Sequence, residues 1–381
     1  MIQKFKPIGR TIFYGLEKMK IAVVTDFLID RGGAEREILI IAKKLKADVI
    51  TTQFIPKRTY KEFSSINVIA FPLKTYPIQL LMQSEAVRKF RSVNLSKYDI
   101  VISMGDWARF VALNKTLKGK HVLITISPPR MFSDLKSSIE EQLNFIQCLV
   151  FRTWSHFAAK NDRKVIAKID HIIVQSMEAK HRVESYYGKE VYFDILYPPT
   201  EVEKFKSGKS NGYFLSVQRI MPAKRVELQI EAFNKMPDKK LVVVGSVLDS
   251  KLSYLKELKS MANKNITFRI NVKDKELIDL YSHAEAVIQT SVKEDFGLIP
   301  VEAMASGKPC IAVNEGGFKE TIDKKTGILI DEPYAENLIN TVRIFKKFKF
   351  KKKDLISRSK QFSSDIFIRK LKKIIFEGVK K

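Results

Sequence analysis

An α/β protein of two tandem units, each a doubly wound parallel sheet, follows from three observations. Short Val- and Ile-rich runs alternate with helical stretches along most of the 381 residues. The alternation stops once, in a Pro-, Gly- and Lys-containing stretch. It then restarts with the same rhythm. Continuous apolar runs of this length suit strands buried on both faces, as in parallel sheets flanked by helices. The chain is about twice an ordinary domain in length, so each unit can bury its own core.

The first unit opens with "KIAVVTDFL" (20 to 28), the Gly-containing turn "IDRGGAER" and the helical "EILIIAKKLK". Further strands are expected at "ADVITTQF" (47 to 54), "YDIVISM" (98 to 104), "HVLITIS" (121 to 127) and "DHIIVQS" (170 to 176), the last followed by the helical "MEAKHRVESYYG". At 192 to 214 two prolines and a polar Ser, Gly and Lys stretch read as a linker. Beyond it come the strands "GYFLSVQR", "KLVVVGS", "NITFRIN", "EAVIQTS" and "KPCIAVN", alternating with the helical "VELQIEAFNKM", "KELIDLYSHA" and the stretch after Pro300. This gives Rossmann-like domains at 19 to 200 and 201 to 362, with a ligand cleft between them at the carboxyl ends of both sheets. Residues 1 to 18 form a basic N-terminal extension, or lie upstream of a start at Met19.

Lys and Arg number 68 against 42 Asp and Glu, a formal charge of +26. Such an excess attracts polyanions: nucleic acid, anionic lipid or phosphorylated ligands. No nucleic-acid recognition motif accompanies the charge. Cys148 and Cys310 form no CxxC pair, and no secretory signal is recognisable, which fits a reducing cytosol. No apolar run approaches the roughly 18 to 20 residues that span a bilayer. Residues 345 to 381 carry 14 Lys and Arg against Asp354, Asp365 and Glu377, interleaved with Phe and Ile. They read as a helix pair with a solvated basic face, or as a surface resting on anionic lipid.

The richest motif is "SVKEDFGLIPVEAMASGKP" (291 to 309), which holds two glutamates eight positions apart. Gly297 can take a positive φ, and Pro300 suits a first helical turn, so the loop aims a helix amino terminus at the cleft. Backbone N–H groups there favour an anion such as a diphosphate. Glu302, expected in the first turn, could accept from ribose hydroxyls, and Glu294 from those of a sugar. Alternatively, Glu302 only complements the helix dipole and Glu294 and Asp295 form a solvated turn. In "SVQRIMPAKRVELQIEAF", Arg219 ends a strand and Lys224 follows five residues on. Two fixed cations can neutralise a departing diphosphate in place of a metal ion, or can be solvated charges on a basic chain. "RGGAE" (31 to 35) and Gly316-Gly317 in "NEGGFKETIDKKTGILI" bring backbone close to a ligand or simply turn the chain. Glu320 lies in the helix after the second pair, and Arg130 in the rigid "SPPR" loop ends a strand of the first unit.

Together these segments resemble the retaining glycosyltransferases of family 4, which have the GT-B fold. Their signature of two glutamates separated by seven residues matches Glu294 to Glu302, their Arg and Lys pair matches Arg219 and Lys224, and their first-loop Gly-Gly-Ala-Glu matches Gly32 to Glu35. The likeness spans roughly residues 19 to 370. Within it, "IDHIIVQSMEAKHRVESYYGKEVYFDILYPPTEVEKF" looks like the subgroup that often transfers mannose or related hexoses to lipid-linked or polysaccharide acceptors.

The resemblance implies that Arg219 and Lys224 hold the donor diphosphate and form the catalytic set with Glu294, while Glu302 holds the ribose. It assigns the transferred sugar to Glu294 and to the backbone of Phe296, Gly297 and Leu298. Val272 would contact the base, Gly33 the donor, and Gly32 and Arg130 are acceptor-side candidates. The terminal helix, 363 to 381, would pack back on the first domain. Two departures stand out. The histidine usual in the "SPPR" loop is Ile126, and glycines expected before the arginine and in the "RIN" loop are Gln218 and Asn271. His121 and His156 are the nearest histidines in sequence to Ile126.

The expected activity is transfer of a hexose, mannose-like or glucose-like, from a GDP-, UDP- or ADP-sugar to a lipid-linked or surface glycan acceptor, with retention and without metal or further cofactor. The expected location is cytoplasmic, peripheral at the inner face of the cell membrane, where an anionic surface is a partner and nucleic acid is not. A non-catalytic partner subunit and a soluble sugar-phosphate synthase of the same fold are the alternatives.

Overall fold

The computed structural model describes residues 19–74, 79–133, 136–141, 143–189, 191–247 and 251–377; the N-terminal extension lies outside them. The described chain divides into two compact units. One runs through Gln175 and takes in Ala179–Leu196 and the chain from Ile368. The other holds Ser176–Glu178 and Tyr197–Phe367.

The first unit is built on seven parallel strands: β1 (Ile21–Thr25), β2 (Asp48–Thr51), β3 (Val68–Ala70), β4 (Ile100–Met104), β5 (Lys120–Thr125), β6 (His171–Val174) and β7 (Asp194–Ile195). Their order is β3-β2-β1-β4-β5-β6-β7. Strands β1 and β4 are buried at every position, as expected of strands covered on both faces. β3 and β7 are not among the expected strands: they are edge strands of only three and two residues, too short to stand out along the chain.

The second unit holds β8 (Tyr213–Val217), β9 (Lys240–Gly245), β10 (Ile266–Ile270), β11 (Val287–Gln289), β12 (Cys310–Val313) and β13 (Gly327–Ile330), again all parallel, in the order β10-β9-β8-β11-β12-β13. Apolar clusters lie about this sheet. One gathers Phe214, Phe233, Leu241, Ile288 and Leu338; another gathers Leu215, Tyr281, Val287, Ala312 and Phe318. In each sheet the winding reverses once, between β1 and β4 and between β8 and β11. Ligands of such sheets bind outside the carboxyl ends of the strands at that reversal.

The stretch read as a linker is partly ordered structure. Thr200 bridges Ser363, with Thr200 N donating to Phe362 O at 2.9 Å and Ser364 N to Thr200 O at 3.0 Å. Tyr197 stacks on Phe296 at 5.2 Å, and Val202 packs in the same cluster. These contacts draw the chain into the second unit from Tyr197 onward, ahead of the expected 200/201 junction.

In the last helix of the tail the structure favours the first of the two readings, a solvated basic face. In the helix Ser364–Glu377, Phe367, Ile368, Leu371 and Ile375 are buried, and Lys120 Nζ donates to Ile375 O at 3.0 Å. Its apolar stripe is consumed by the protein's own core, so it is not available for a lipid surface, and the basic residues are left as a solvated face. Among the described residues no helix is long and apolar enough to cross a membrane.

Candidate active site

The winding reversal of the second sheet puts the ends of β8 and β11 side by side, and the segments leaving them carry the predicted cations and carboxylates. After β8 comes Gln218, whose side-chain nitrogen and oxygen are buried without a hydrogen-bond partner, and then Arg219, exposed and without an ion pair among the described residues. A 3-10 turn, Pro222–Lys224, follows, and Arg225 at φ 49 starts the helix Val226–Asn234.

This turn is sewn to the exit of β11. Thr290 Oγ1 lies 2.8 Å from the carbonyl of Lys224 and 3.0 Å from that of Arg225, and accepts from Gln229 Nε2 at 2.7 Å; Val292 N donates to Ala223 O. Both segments are thereby fixed, and Lys224 Nζ reaches Glu294 Oε2 at 2.6 Å, each side chain about a quarter exposed. A second ion pair has no counterpart in the sequence reading: Arg225 Nη1 to Glu315 Oε1 at 2.7 Å, with Glu315 Oε2 accepting from Lys293 N. The two partners lie 90 residues apart, so no spacing pattern signals them.

Gly297 has φ 95 and caps the helix Leu298–Ala305 without a side-chain bond, which leaves first-turn N–H groups directed beyond the helix end. Pro300 lies in that first turn, but Glu302 sits one turn further on than expected. It is half-buried and accepts from the hydroxyl of fully buried Tyr281 at 2.6 Å. Burial and that carboxylate raise the Tyr281 phenol, so it stays protonated and donates. Phe296 is buried between Tyr197 and Phe362, and Leu298 joins the same cluster, so neither side chain is presented to a ligand in the way a sugar-binding side chain would be.

The glycines Gly316 and Gly317 have a different explanation from ligand approach. A Cβ on Gly316 would lie 2.2 Å from Glu294 O, and one on Gly317 would lie 2.3 Å from Phe296 Cα. Gly317 N donates to Glu294 O at 2.7 Å. The pair lets the loop after β12 press backbone to backbone on the Glu294–Leu298 loop. Glu320, in the short helix that follows, accepts from Met177 N and Glu178 N.

One departure from the resemblance costs little: Asn271 takes φ 56, a left-handed conformation that asparagine tolerates better than most residues, and Val272 follows half-buried. The other is costly, because the Gln218 amide is buried with neither its nitrogen nor its oxygen hydrogen-bonded.

The remaining candidates belong to the first unit. Gly32 is the N-cap of the helix Gly33–Leu45 after β1, with φ −130, and its carbonyl accepts from Tyr60 OH at 3.3 Å. Arg130 is exposed on a 3-10 turn after β5, and Ile126 is 43% exposed. His121 is buried with Nε2 2.8 Å from Ser103 Oγ, and burial lowers its pKa to about 4, so it is a neutral core residue; His156 is exposed on a helix.

The sequence also conceals Asp26 at the end of β1. Its carboxylate accepts from Asp106 N, Trp107 N and Ala108 N at 2.7 to 3.0 Å, beneath Gly105. Burial, with Asp106 nearby, raises its pKa to about 7. Beside it Arg109 is buried against Asp106, Asp162 and Tyr187. Among the described residues no cluster of three or more His, Cys, Asp or Glu is arranged to hold a metal ion.

The class these sheets define is GT-B: two parallel-sheet Rossmann-like domains. HepE of Anabaena, solved with UDP and glucose, superposes with a TM-score of 0.72 at 19% identity over 93% of this chain and 98% of that one. Sucrose-phosphate synthase from Thermosynechococcus elongatus gives 0.73 at 17% identity over 94% and 98%. More particularly, residues 199–362, which lie in the second unit, are similar to the family Glycosyl transferases group 1. The D-inositol 3-phosphate glycosyltransferase of Mycobacterium sp. (strain JLS) is 27% identical over 192 residues, and that of Mycolicibacterium smegmatis is 26% identical over 192. Each match covers 45% of this chain and 44% of the relative, so the chain spans under half the length of these curated relatives.

Proposed function

We propose that the protein is a retaining glycosyltransferase that moves a hexose, mannose-like or glucose-like, from a nucleotide sugar to a lipid-linked or surface glycan acceptor at a membrane face. The observation that carries this reading is the Lys224–Glu294 pair, 2.6 Å apart beside the open amino terminus that Gly297 caps. A cation, a hydroxyl-binding carboxylate and free backbone donors are what a sugar diphosphate requires. Arg219 and Lys224 would hold the diphosphate, Glu302, already oriented by Tyr281, the ribose, and Val272 the base. Glu294 and the backbone of Phe296 to Leu298 would hold the sugar.

Retention follows from front-face attack. The bond from the anomeric carbon to the diphosphate oxygen breaks as the acceptor oxygen bonds on the same face, and the acceptor proton passes to the departing phosphate. The cations offset the charge that develops, so metal-independent catalysis rests on positioning and electrostatics. In the first unit, Arg130 and Gly32 are our acceptor-side candidates and Gly33 our donor-side one.

Thermal shift with UDP-, GDP- and ADP-sugars side by side tests the reading, since a ligand that binds only the folded state raises its melting temperature. One donor should stabilise the protein and be turned over with a polyprenyl-linked acceptor. No stabilisation by any nucleotide sugar would reject the proposal. The likeness to sucrose-phosphate synthase favours a second reading, a soluble sugar-phosphate acceptor, which full turnover without lipid would support.

A further inference from the structure

The helix Phe145–Ile166 in the first unit leaves bare an apolar face that no part of the described chain covers. Its start is fixed by a reciprocal cap: Gln147 N donates to Asn144 Oδ1 at 2.9 Å, and Asn144 N to Gln147 Oε1 at 3.2 Å. The first turn is therefore held, with its side chains in place. Phe151, Ser155, Asp162, Val165 and Ile166 are buried on one side. On the other, Phe145 is 85% exposed, Ile146 73%, Leu149 60%, Val150 55% and Phe157 62%. At 3.6 residues per turn Ile146, Val150, Thr153, Phe157, Lys160 and Lys164 form one outward stripe, apolar for its first half and cationic for its second. The only acidic residue of the helix, Asp162, points inward and is buried. Nearby, Glu140 is occupied by Arg152 at 2.8 Å, and Glu141 is exposed.

Five large apolar side chains on a single convex face, next to lysines and arginines, match the composition of a helix that lies in a lipid interface. The alternative occupant, a second copy, would bring a chain of charge +26 against another of the same sign. An anionic bilayer has the opposite charge and takes apolar side chains at any point of its plane. We propose that the outward face of Phe145–Ile166 is where this protein rests on an anionic lipid surface. The basic tail assists at most from a distance, because its own apolar stripe is buried. The inner face of the same helix, at Ala158 and Asp162, lines a pocket with Trp107, Phe110, Met131 and Phe132. A lipid carried by that surface would thus lie about one helix diameter, roughly 10 Å, from the pocket. That last step rests on the proposed lipid-linked acceptor; the surface itself does not.

Flotation of the full-length protein with vesicles of phosphatidylcholine, alone or with phosphatidylglycerol, tests the surface. Leu149→Glu with Phe157→Glu should lower binding to anionic vesicles at least about tenfold at an unchanged melting temperature, because both positions are exposed. Lys160→Ala with Lys164→Ala should lower it by about twenty-five-fold, roughly fivefold per cation, and leave neutral vesicles unaffected. Lys346→Ala with Lys347→Ala in the tail should change little. Wild-type binding by the helix variants would overturn the proposal, as would loss confined to the tail variant. So would light scattering that shows a dimer abolished by Leu149→Glu with Phe157→Glu, since a second copy would then cover the face. Vesicle binding is read without donor. If the protein floats through this face but is stabilised by no nucleotide sugar, the surface stands and the transferase reading fails. If a nucleotide sugar stabilises it but it ignores vesicles, the transferase reading stands and the surface fails.

Discussion

Substituting Gly317 by Ala tests whether the two loops after β11 and β12 form one rigid piece. The added Cβ would lie 2.3 Å from Phe296 Cα and 2.6 Å from Phe296 O. Non-bonded carbons rest about 3.5 to 4.0 Å apart, so one loop has to retreat by about 1 Å or more. Gly317 itself has φ −70, which alanine adopts freely, so the cost is purely steric. Overpacking of this kind costs about 1 to 3 kcal/mol. For a unit the size of Tyr197–Phe367, each kcal/mol lowers the melting temperature by about 2 to 4 °C, giving an expected fall of about 2 to 12 °C. The retreating loop carries Glu294, now 2.6 Å from Lys224, so stabilisation by the nucleotide sugar that raises the wild-type melting temperature should shrink with it. Gly316→Ala should be worse, because φ 55 adds roughly 1 to 2 kcal/mol for the left-handed conformation. If Gly317→Ala melts like the wild type and responds to that nucleotide sugar unchanged, the loops are not in backbone contact and the reasoning fails.

Three other outcomes are expected. Tyr281→Phe removes the 2.6 Å bond to Glu302, which should cost about 1 kcal/mol of stability and weaken binding of the stabilising nucleotide sugar by more than that; equal losses in calorimetry would make the pair merely structural. Lys224→Ala and Glu294→Ala should each lower sugar transfer more than about tenfold, with the double variant no worse than the poorer single, since the residues act as a pair; additive losses of released nucleotide would separate their roles. Glu37 is buried with Gln175 as its hydrogen-bond partner, and burial raises its pKa from 4.5 to about 7. The native state then holds the proton where the unfolded state has lost it, so stability falls as pH rises from about 4.5 to about 7, by on the order of 3 kcal/mol. Glu37→Gln should therefore melt higher than the wild type at pH 8, with the gain fading toward pH 5; a gain independent of pH would refute the assignment.

What can be read from the chain depends on how local the cause is. β1, β4 and β8 are legible because burial on both faces demands uninterrupted apolar residues, and Gly297 because a turn before Pro300 asks for positive φ. The helix Phe145–Ile166 is not, since its first half is apolar on both sides and shows no period. Glu302 lies a turn later than the motif suggests because the helix start is set by the backbone of Gly297 rather than by Pro300. Asp26, the Arg225–Glu315 pair and the contact of Gly317 with Phe296 depend on which strand ends meet across the sheet, which spacing along the chain does not encode.

Phe296 is the centre of a small aromatic group whose other members are Tyr197 and Phe362, at ring separations of 5.2 and 5.4 Å. Tyr197 opens the second unit, and Phe362 lies a few residues before its last, Phe367. The loop that would grip the donor's sugar is therefore wedged between the incoming and the outgoing segments of its own unit. Any shift of that loop when the site fills is passed directly to those two segments, with no intervening element to absorb it. Occupancy should thus be legible at Tyr197, in its fluorescence or its side-chain exchange, at the edge of the unit as well as in the site.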